Sequence, residues 1–186
     1  MSVYANDQVD RIVAIDDAHA SLVASLVACR KPRSILELGF GAGRSCRSIL
    51  QGLEFNGQAY EFDLVDSWND FNGQPPEEIG KPGYGSVNFI TAEEEAFVFS
   101  AKKTYDFIFS DADHLRTQEW FLHVYENLLR PEGILIYHDV TNAQLFPNLL
   151  RIYADAVRND FHHMLFNYNS RTDERCDRGL LVICKH

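Results

Sequence analysis

Two short stretches hold the side chains best suited to chemistry. In "SDADH", Asp111, Asp113 and His114 follow one apolar run, and in "YHDV", His138 and Asp139 follow another. Imidazole titrates near neutrality, so His114 or His138 can act as a general base tuned by the carboxylate beside it. Adjacent parallel strands stand about 4.8 Å apart, so if both runs belong to one parallel sheet, the acids at their carboxyl ends converge on one centre. A third stretch, "ILELGFGAGRS", runs through Glu37 into Gly39, Gly41 and Gly43. A strand feeding such a turn and then a helix gathers backbone N–H groups and the positive helix end where ligands of open α/β folds bind.

The chain around these residues alternates two hydrophobic periods, which predicts an α/β domain. Leu22, Val23, Leu26 and Val27 fall at helical spacing, and that helix should end before Lys31 and Pro32. "SILELG" begins a strand, Cys46, Ile49, Leu50 and Leu53 share one face of a helix, and "AYEFDLVDSW" is a second strand after the "NGQ" turn. "VNFIT", "YDFIFSD" and "GILIYHDV" are further strands. The last two are separated by a helix carrying Phe121, Val124, Tyr125, Leu128 and Leu129, which Pro131 and Gly133 bring to an end. A helix with Leu145, Leu149, Ile152, Tyr153 and Ala156 on one face follows, and "FHHMLFNY" and "GLLVIC" read as an antiparallel pair at one edge. Residues 69–86, "NDFNGQPPEEIGKPGYGS", are too long and too rich in Gly, Pro and Asn for an ordinary connection, and are expected to form an acceptor-side loop or lid.

A single domain over 1–186 is expected, with 46% hydrophobic residues to build its core and 1–32 as an N-terminal helical segment. A formal charge of −10 without any block of Lys or Arg argues against nucleic acid as a partner. Asp, Arg, Glu or His interrupts every apolar run before it reaches spanning length, so no membrane partner is expected. Cys29, Cys46, Cys176 and Cys184 lack metal-type spacing, and the N-terminus lacks a basic segment followed by a long apolar run, so reduced thiols in a cytoplasmic protein are expected. Oligomeric state is left open, a homo-oligomer included.

From Gly39 the spacing G-F-G-A-G-R puts Arg44 where a dinucleotide site wants a third glycine, and no Gly-Lys-Ser/Thr follows. NAD and nucleoside triphosphates are disfavoured. A ligand without a pyrophosphate, packed edge-on against bare backbone with an acid nearby, suits the turn better, and S-adenosylmethionine is such a ligand. "ELGFGAG" resembles the first motif of class I S-adenosylmethionine-dependent methyltransferases, and "VDSWND" resembles the acid-ending second strand of small O-methyltransferases. "YDFIFSDADH" and "LLRPEGILIYHDV" resemble the fourth and fifth strands of the group that includes cephalosporin-biosynthesis and macrolide-sugar methyltransferases, and the matches run in order over most of the chain.

The resemblance implies a single Rossmann-like domain whose seven-stranded, mostly parallel sheet has an antiparallel C-terminal strand and helices on both faces. It implies methyl transfer to a small-molecule hydroxyl, and a cofactor site at Glu37, Gly39, Phe40, Gly41, Gly43, Asp66, Trp68, Ala92, Glu93 and Asp111. The glycines clear space, and Glu37 orders the loop or meets the amino end of the cofactor. Asp66 accepts from the ribose hydroxyls, and Trp68 flanks ribose or adenine or else seals the core edge. A backbone N–H of Ala92 or Glu93 reads adenine, unless "EEE" at 93–95 is only an acidic first turn favoured by a helix dipole. Asp63 is assigned to the sheet end or to solvent.

Catalysis is placed at Asp111, His114, His138 and Asp139. In metal-dependent relatives acids at these two strand ends hold a divalent ion that lowers the pKa of an acceptor hydroxyl, and Asp111 and Asp139 match that pattern. Where those relatives have a second carboxylate or an amide beside the second acid, this chain has His138 and Val140. Oxygen-only sites suit Mg, a mixed His/Asp set suits Mn, Fe or Zn, and a histidine can also serve as base with no metal. Asp113 is either a site residue or a helix cap, while His123, His162, His163 and Tyr137 are assigned to structure or solvent. Two alternatives stay open: a metal-independent N- or O-methyltransferase with a histidine base, and a non-catalytic S-adenosylmethionine-binding or accessory module. Nothing in the sequence identifies the acceptor beyond an amphipathic small molecule.

Overall fold

"SILEL", "FDLV" and "FIF" lack the polar alternation of a one-sided sheet, as strands covered on both faces should. The computed structural model describes residues 15–69, 79, 83–143, 146–166 and 178–186. In chain order it contains α1 (Asp17–Arg30), β1 (Ser34–Leu38), α2 (Arg44–Asn56), β2 (Glu61–Asp66), β3 (Ser86–Thr91), α3 (Glu94–Ser100), β4 (Tyr105–Ser110), a short α4 (Phe121–His123), β5 (Leu129–Tyr137), α5 (Leu150–Arg158), β6 (His162–Phe166) and β7 (Leu180–Cys184). The seven strands form one sheet of order β3-β2-β1-β4-β5-β7-β6. Pairing is parallel from β3 through β5, and β7 runs antiparallel to both β5 and β6, so it alone opposes the other six. This is the expected architecture.

Alternate strand residues divide between two cores. Ile35, Phe62, Leu64, Phe107 and Ile136 pack with Val23 and Val27 of α1 and with Ile49 and Leu53 of α2. Leu36, Leu38, Ile108, Leu135 and Ile183 pack with Phe97, Val124, Ile152 and Ala156 on the other side. Asp16 starts α1 by accepting the His19 N–H at 2.9 Å, and Lys31 closes it in a left-handed conformation with φ of 53°. Among the described residues Cys29, Cys46 and Cys184 are free thiols, and no helix is long and apolar enough to cross a membrane.

The segment before β5 differs from expectation. Instead of one helix ended by Pro131 and Gly133, α4 gives way to a π turn at Val124–Leu128, and β5 begins directly at Leu129. Lys185 explains both features. Its Nζ donates to the carbonyls of Tyr125, Glu126 and Leu129 at 2.7 to 2.9 Å, satisfying groups a helix end leaves unpaired. Its backbone exchanges hydrogen bonds with Glu132 and Gly133, which draws residues 130–133 into the sheet as an irregularity in the β4–β5 register.

The expected α5 face is seen at Leu149, Ile152 and Ala156, which are buried. Leu145, Cys176, residues 1–14 and most of the 69–86 segment lie outside the described residues, so the lid expectation does too. Where the chain emerges from that segment, Glu54 accepts from the Gly83 N–H and the Tyr60 hydroxyl, at 3.1 and 2.7 Å.

Asp63 has a structural role. Its carboxylate accepts from Asn88 Nδ2 (2.8 Å), Lys103 Nζ (2.8 Å) and the Tyr105 hydroxyl (2.9 Å). Burial pushes the group up, but these hydrogen bonds and the lysine charge outweigh it and hold Asp63 below the ordinary carboxylate range. The unfolded value is about 3.9, so this stabilisation is complete above that pH and is lost as pH falls through the depressed folded value. Asp63→Asn should therefore lower urea stability by ~1.5–3 kcal/mol at neutral pH, the range for hydrogen bonds to a charged group. The gap between variant and wild type should narrow in acid; a gap that does not change with pH would refute the assignment.

Candidate active site

The carboxyl ends of β1, β2 and β4 come together tightly. The Gly39 N–H donates to the Val65 carbonyl and the Asp111 N–H to the Leu38 carbonyl, both at 2.9 Å. A Cβ on Gly39 would lie 2.6 Å from the Asp111 carbonyl oxygen, and φ there is +88°, so only glycine fits without strain. At Gly41, φ +51°, a Cβ would meet no atom within 4 Å, because this edge of the turn opens on a cleft of about 450 Å³. Gly39, Gly41, Asp66, Ala92, Glu93 and Asp111 are all on the cleft wall.

Asp66 holds the turn together. One carboxylate oxygen accepts the Phe40 N–H and the other the Trp68 N–H, each at 2.7 Å. A carboxylate has about four lone-pair sites, so capacity is left for hydroxyls entering the cleft. Ala92 donates its N–H to the Asp66 backbone carbonyl at 3.1 Å, so any contact it makes in the cleft uses its methyl or carbonyl. Glu93 stands at the N-cap of α3.

Four expected cofactor residues sit behind the wall rather than on it. Trp68 is fully buried between Phe40 and Phe89, with ring centroids 5.7 and 5.9 Å away, the core-edge placement of the two that the sequence left open. The Phe40 ring covers Gly43, the buried N-cap of α2. Glu37 is fully buried and accepts from the Ser45 hydroxyl, tying β1 to the first turn of α2. Burial pushes the Glu37 carboxyl up to about 8, only partly offset by Ser45, so burial favours its neutral form.

Beyond Asp111 the two sequence motifs meet as a box. His114 Nε2 lies 3.0 Å from Asp111 Oδ1 and 3.3 Å from Asp139 Oδ2. His138 Nδ1 lies 3.3 Å from Asp111 Oδ2 and 3.4 Å from Asp139 Oδ1. Each imidazole thus spans both carboxylates through a different pair of oxygens. Burial pushes both histidines down, but the two aspartates outweigh it, raising His138 and taking His114 to about 10. Burial would likewise raise Asp111, yet His138 and His114 hold it well below the carboxylate range. His114 is the more accessible imidazole, its side chain 24% exposed against 1% for His138.

Asp113 caps the next turn, accepting the Leu115 and Arg116 N–H groups at 3.0 and 3.1 Å. Tyr137 is core, edge-on to Phe121, and His123 packs on Phe99. His162 is exposed and His163 half-buried on β6, away from the box.

Two site residues escaped sequence reasoning. Glu94, the middle residue of "EEE", is buried and accepts from the Asp113 N–H (2.9 Å), the Thr117 hydroxyl (2.7 Å) and the Ser110 hydroxyl (3.2 Å), fastening the "DADH" loop to α3. His19 of α1 is 1% exposed, with its ring edge-on to His138 at 5.5 Å and Nδ1 3.4 Å from Asp16. Burial keeps the His19 imidazole below its ordinary value despite Asp16.

Fold and site together define an α/β protein with a cleft across the ends of β1, β2 and β4 and an Asp/His box beside it. Residues 36–140 match the family model described as a methyltransferase domain, and the chain belongs to that family. A protein of Mycolicibacterium vanbaalenii named as a candidate O-methyltransferase is 29% identical over 126 residues, covering 67% of this chain and 55% of that protein. The chain thus spans about half the length of the curated relative it matches. Among solved structures, the O-methyltransferase from Bacillus cereus in complex with S-adenosylhomocysteine superposes with a TM-score of 0.71 at 16% identity, over 94% of this chain and 84% of that one. The O-methyltransferase TomG from Streptomyces achromogenes, involved in tomaymycin synthesis and solved with S-adenosylmethionine, gives 0.69 at 15% identity, over 100% and 91%. At these identities the likeness is one of fold.

Proposed function

We propose that this protein transfers the methyl group of S-adenosylmethionine to a hydroxyl of a small molecule. The observation that carries the reading is the double position of Asp111, which is on the cleft wall and also in the Asp/His box, so that cofactor and proton-handling groups meet at one side chain. Family membership and the neighbours solved with S-adenosylhomocysteine or S-adenosylmethionine support it. Asp66 takes the ribose hydroxyls, Gly41 leaves room for the cofactor, and the Glu93 N–H meets the adenine edge. Glu37 acts indirectly, by ordering the turn. The acceptor enters on the side of His114, the more accessible imidazole; because the two aspartates raise that ring to about 10, it takes the acceptor proton only in its neutral form, and turnover should rise with pH toward that value.

The box also fits a divalent ion. Asp111, His138 and Asp139 each place a ligand atom within 4.8 Å of the others, and His138 Nδ1 and Asp139 Oδ1 are buried without a hydrogen-bond partner. Those three residues would hold the ion, which when bound supplies a Lewis acid for the acceptor oxygen. A second, metal-free reading is favoured by His114 itself, which bridges both carboxylates and, once deprotonated toward alkaline pH, can serve as base alone.

Incubation with S-adenosylmethionine carrying an isotopically labelled methyl group and a panel of phenolic and sugar hydroxyl acceptors is expected to yield a labelled methyl ether. Cofactor binding with no labelled product from any acceptor would instead mark an accessory module. Activity lost to a chelator and restored by a metal supports the metal-assisted form, and activity indifferent to chelation supports the histidine base.

A further inference from the structure

We propose that His138 is an inner-sphere nitrogen ligand, and that the ion held here is a late first-row transition ion such as Co²⁺ or Zn²⁺ rather than Mg²⁺ or Ca²⁺. This rests on the metal-assisted reading above. Successive residues leaving a strand normally point to opposite faces, so His138 and Asp139 should not serve one centre. Asp139 breaks the alternation: its φ is +59°, a left-handed conformation that Asp tolerates better than most residues, and its carboxylate turns back to within 3.4 Å of His138 Nδ1. The turn is fastened by the His138 N–H on the Ser110 carbonyl (3.2 Å) and the Val140 N–H on the Gly179 carbonyl (3.2 Å). A non-glycine residue held in this region at a candidate site points to a function for the geometry.

The donor set then decides the ion. His138 is 2% exposed, and neither ring nitrogen makes a hydrogen bond of good geometry, Nδ1 meeting only the two carboxylates at 3.3 and 3.4 Å, a contact that a cation between them would tighten. Its Nδ1 faces Asp111 Oδ2 and Asp139 Oδ1, while Asp111 Oδ1 and Asp139 Oδ2 face His114. One set of oxygens can therefore join His138 at a cation and leave the other set to His114. Mg²⁺ and Ca²⁺ are hard ions that prefer oxygen and water, whereas imidazole suits Zn, Fe and Ni, and affinity rises along the first-row series. A buried nitrogen at this position selects against magnesium.

The test uses tag-free, chelator-treated protein titrated with Co²⁺, followed by visible absorption, and with Mg²⁺, followed by calorimetry. Co²⁺ is expected to bind more tightly than Mg²⁺. His138→Asn should weaken Co²⁺ by at least the roughly 10- to 100-fold that even an outer-shell change costs, and should narrow the gap to Mg²⁺. S-adenosylhomocysteine binding and the melting transition report whether that variant is folded. Hyperfine-shifted imidazole proton resonances in the Co²⁺-loaded wild type report histidine ligation without any variant, and their absence would contradict the proposal. Equal binding of Co²⁺ and Mg²⁺, or Co²⁺ affinity unchanged in a folded His138→Asn, would overturn this inference alone. Failure of both ions to bind protein that still binds S-adenosylhomocysteine would overturn it together with the metal-assisted reading.

Discussion

Asparagine in place of Asp111 is expected to lower turnover by about 100- to 10,000-fold, the range that positioned acid–base groups typically contribute. Asp111 touches both imidazoles, at 3.0 and 3.3 Å, and is also on the wall of the cofactor cleft. The amide keeps the shape but removes the charge that raises His114 to about 10, so the His114 pKa should fall in the variant. The arm of the pH–rate profile that reports this group should then move to lower pH. Removing one partner of a buried ion pair costs about 3–5 kcal/mol; asparagine retains a hydrogen bond and should cost less, so the fold should survive for the assay. Unchanged turnover with a verified acceptor would remove the box from the chemistry.

Gly39→Ala should be the most damaging change in the glycine turn. The added methyl would meet the Asp111 carbonyl oxygen at 2.6 Å and the Ala112 Cα at 2.8 Å, and both are backbone atoms of the adjoining strand end. The turn cannot move away, because Gly39 and Asp111 are each hydrogen-bonded at 2.9 Å to neighbouring strands. Overpacking costs ~1–3 kcal/mol, and a left-handed alanine adds about 1–2 kcal/mol, so a loss of roughly 2–5 kcal/mol is expected by urea denaturation, with cofactor binding lost as well. Gly41→Ala is the control: its φ of +51° carries the same left-handed cost of about 1–2 kcal/mol, but with no atom within 4 Å of its Cβ the overpacking loss is absent, while the methyl still crowds the cleft. Equal stability of the two variants would contradict the close approach of β1 and β4.

Much of this was legible because parallel strands and strand-end chemistry are local in sequence. "SILEL" and "YDFIFSD" announce buried strands, and the acids and histidines that follow strands 4 and 5 meet because those strands are neighbours. Glu94 was harder, since its partners lie 16 to 23 residues away. A signal did exist: Glu94 falls three and four residues before Phe97 and Val98, on the face that α3 buries. His19 likewise falls four residues before Val23 on the buried stripe of α1, where a histidine reads as core until the fold brings His138 against it. Trp68 stayed open between two placements because an aromatic residue two positions past Asp66 can point either way. The hydrogen bond from its N–H to Asp66 and a φ of +59° send the ring into the core. The π turn and early start of β5 depend on Lys185, more than fifty residues downstream, and no local pattern carries that information.

The occupant of the cleft beside Gly41 and Asp66 decides whether the protein is a methyltransferase of the proposed kind. Calorimetric titration of the purified, chelator-treated protein with S-adenosylhomocysteine, and separately with NAD, decides it directly. Saturable binding of S-adenosylhomocysteine without binding of NAD is predicted, together with a loss of at least roughly tenfold in Asp66→Ala, where hydrogen bonds to a charged group worth about 1.5–3 kcal/mol each disappear. Folded protein that ignores S-adenosylhomocysteine, or that binds NAD in its place, would contradict the central claim.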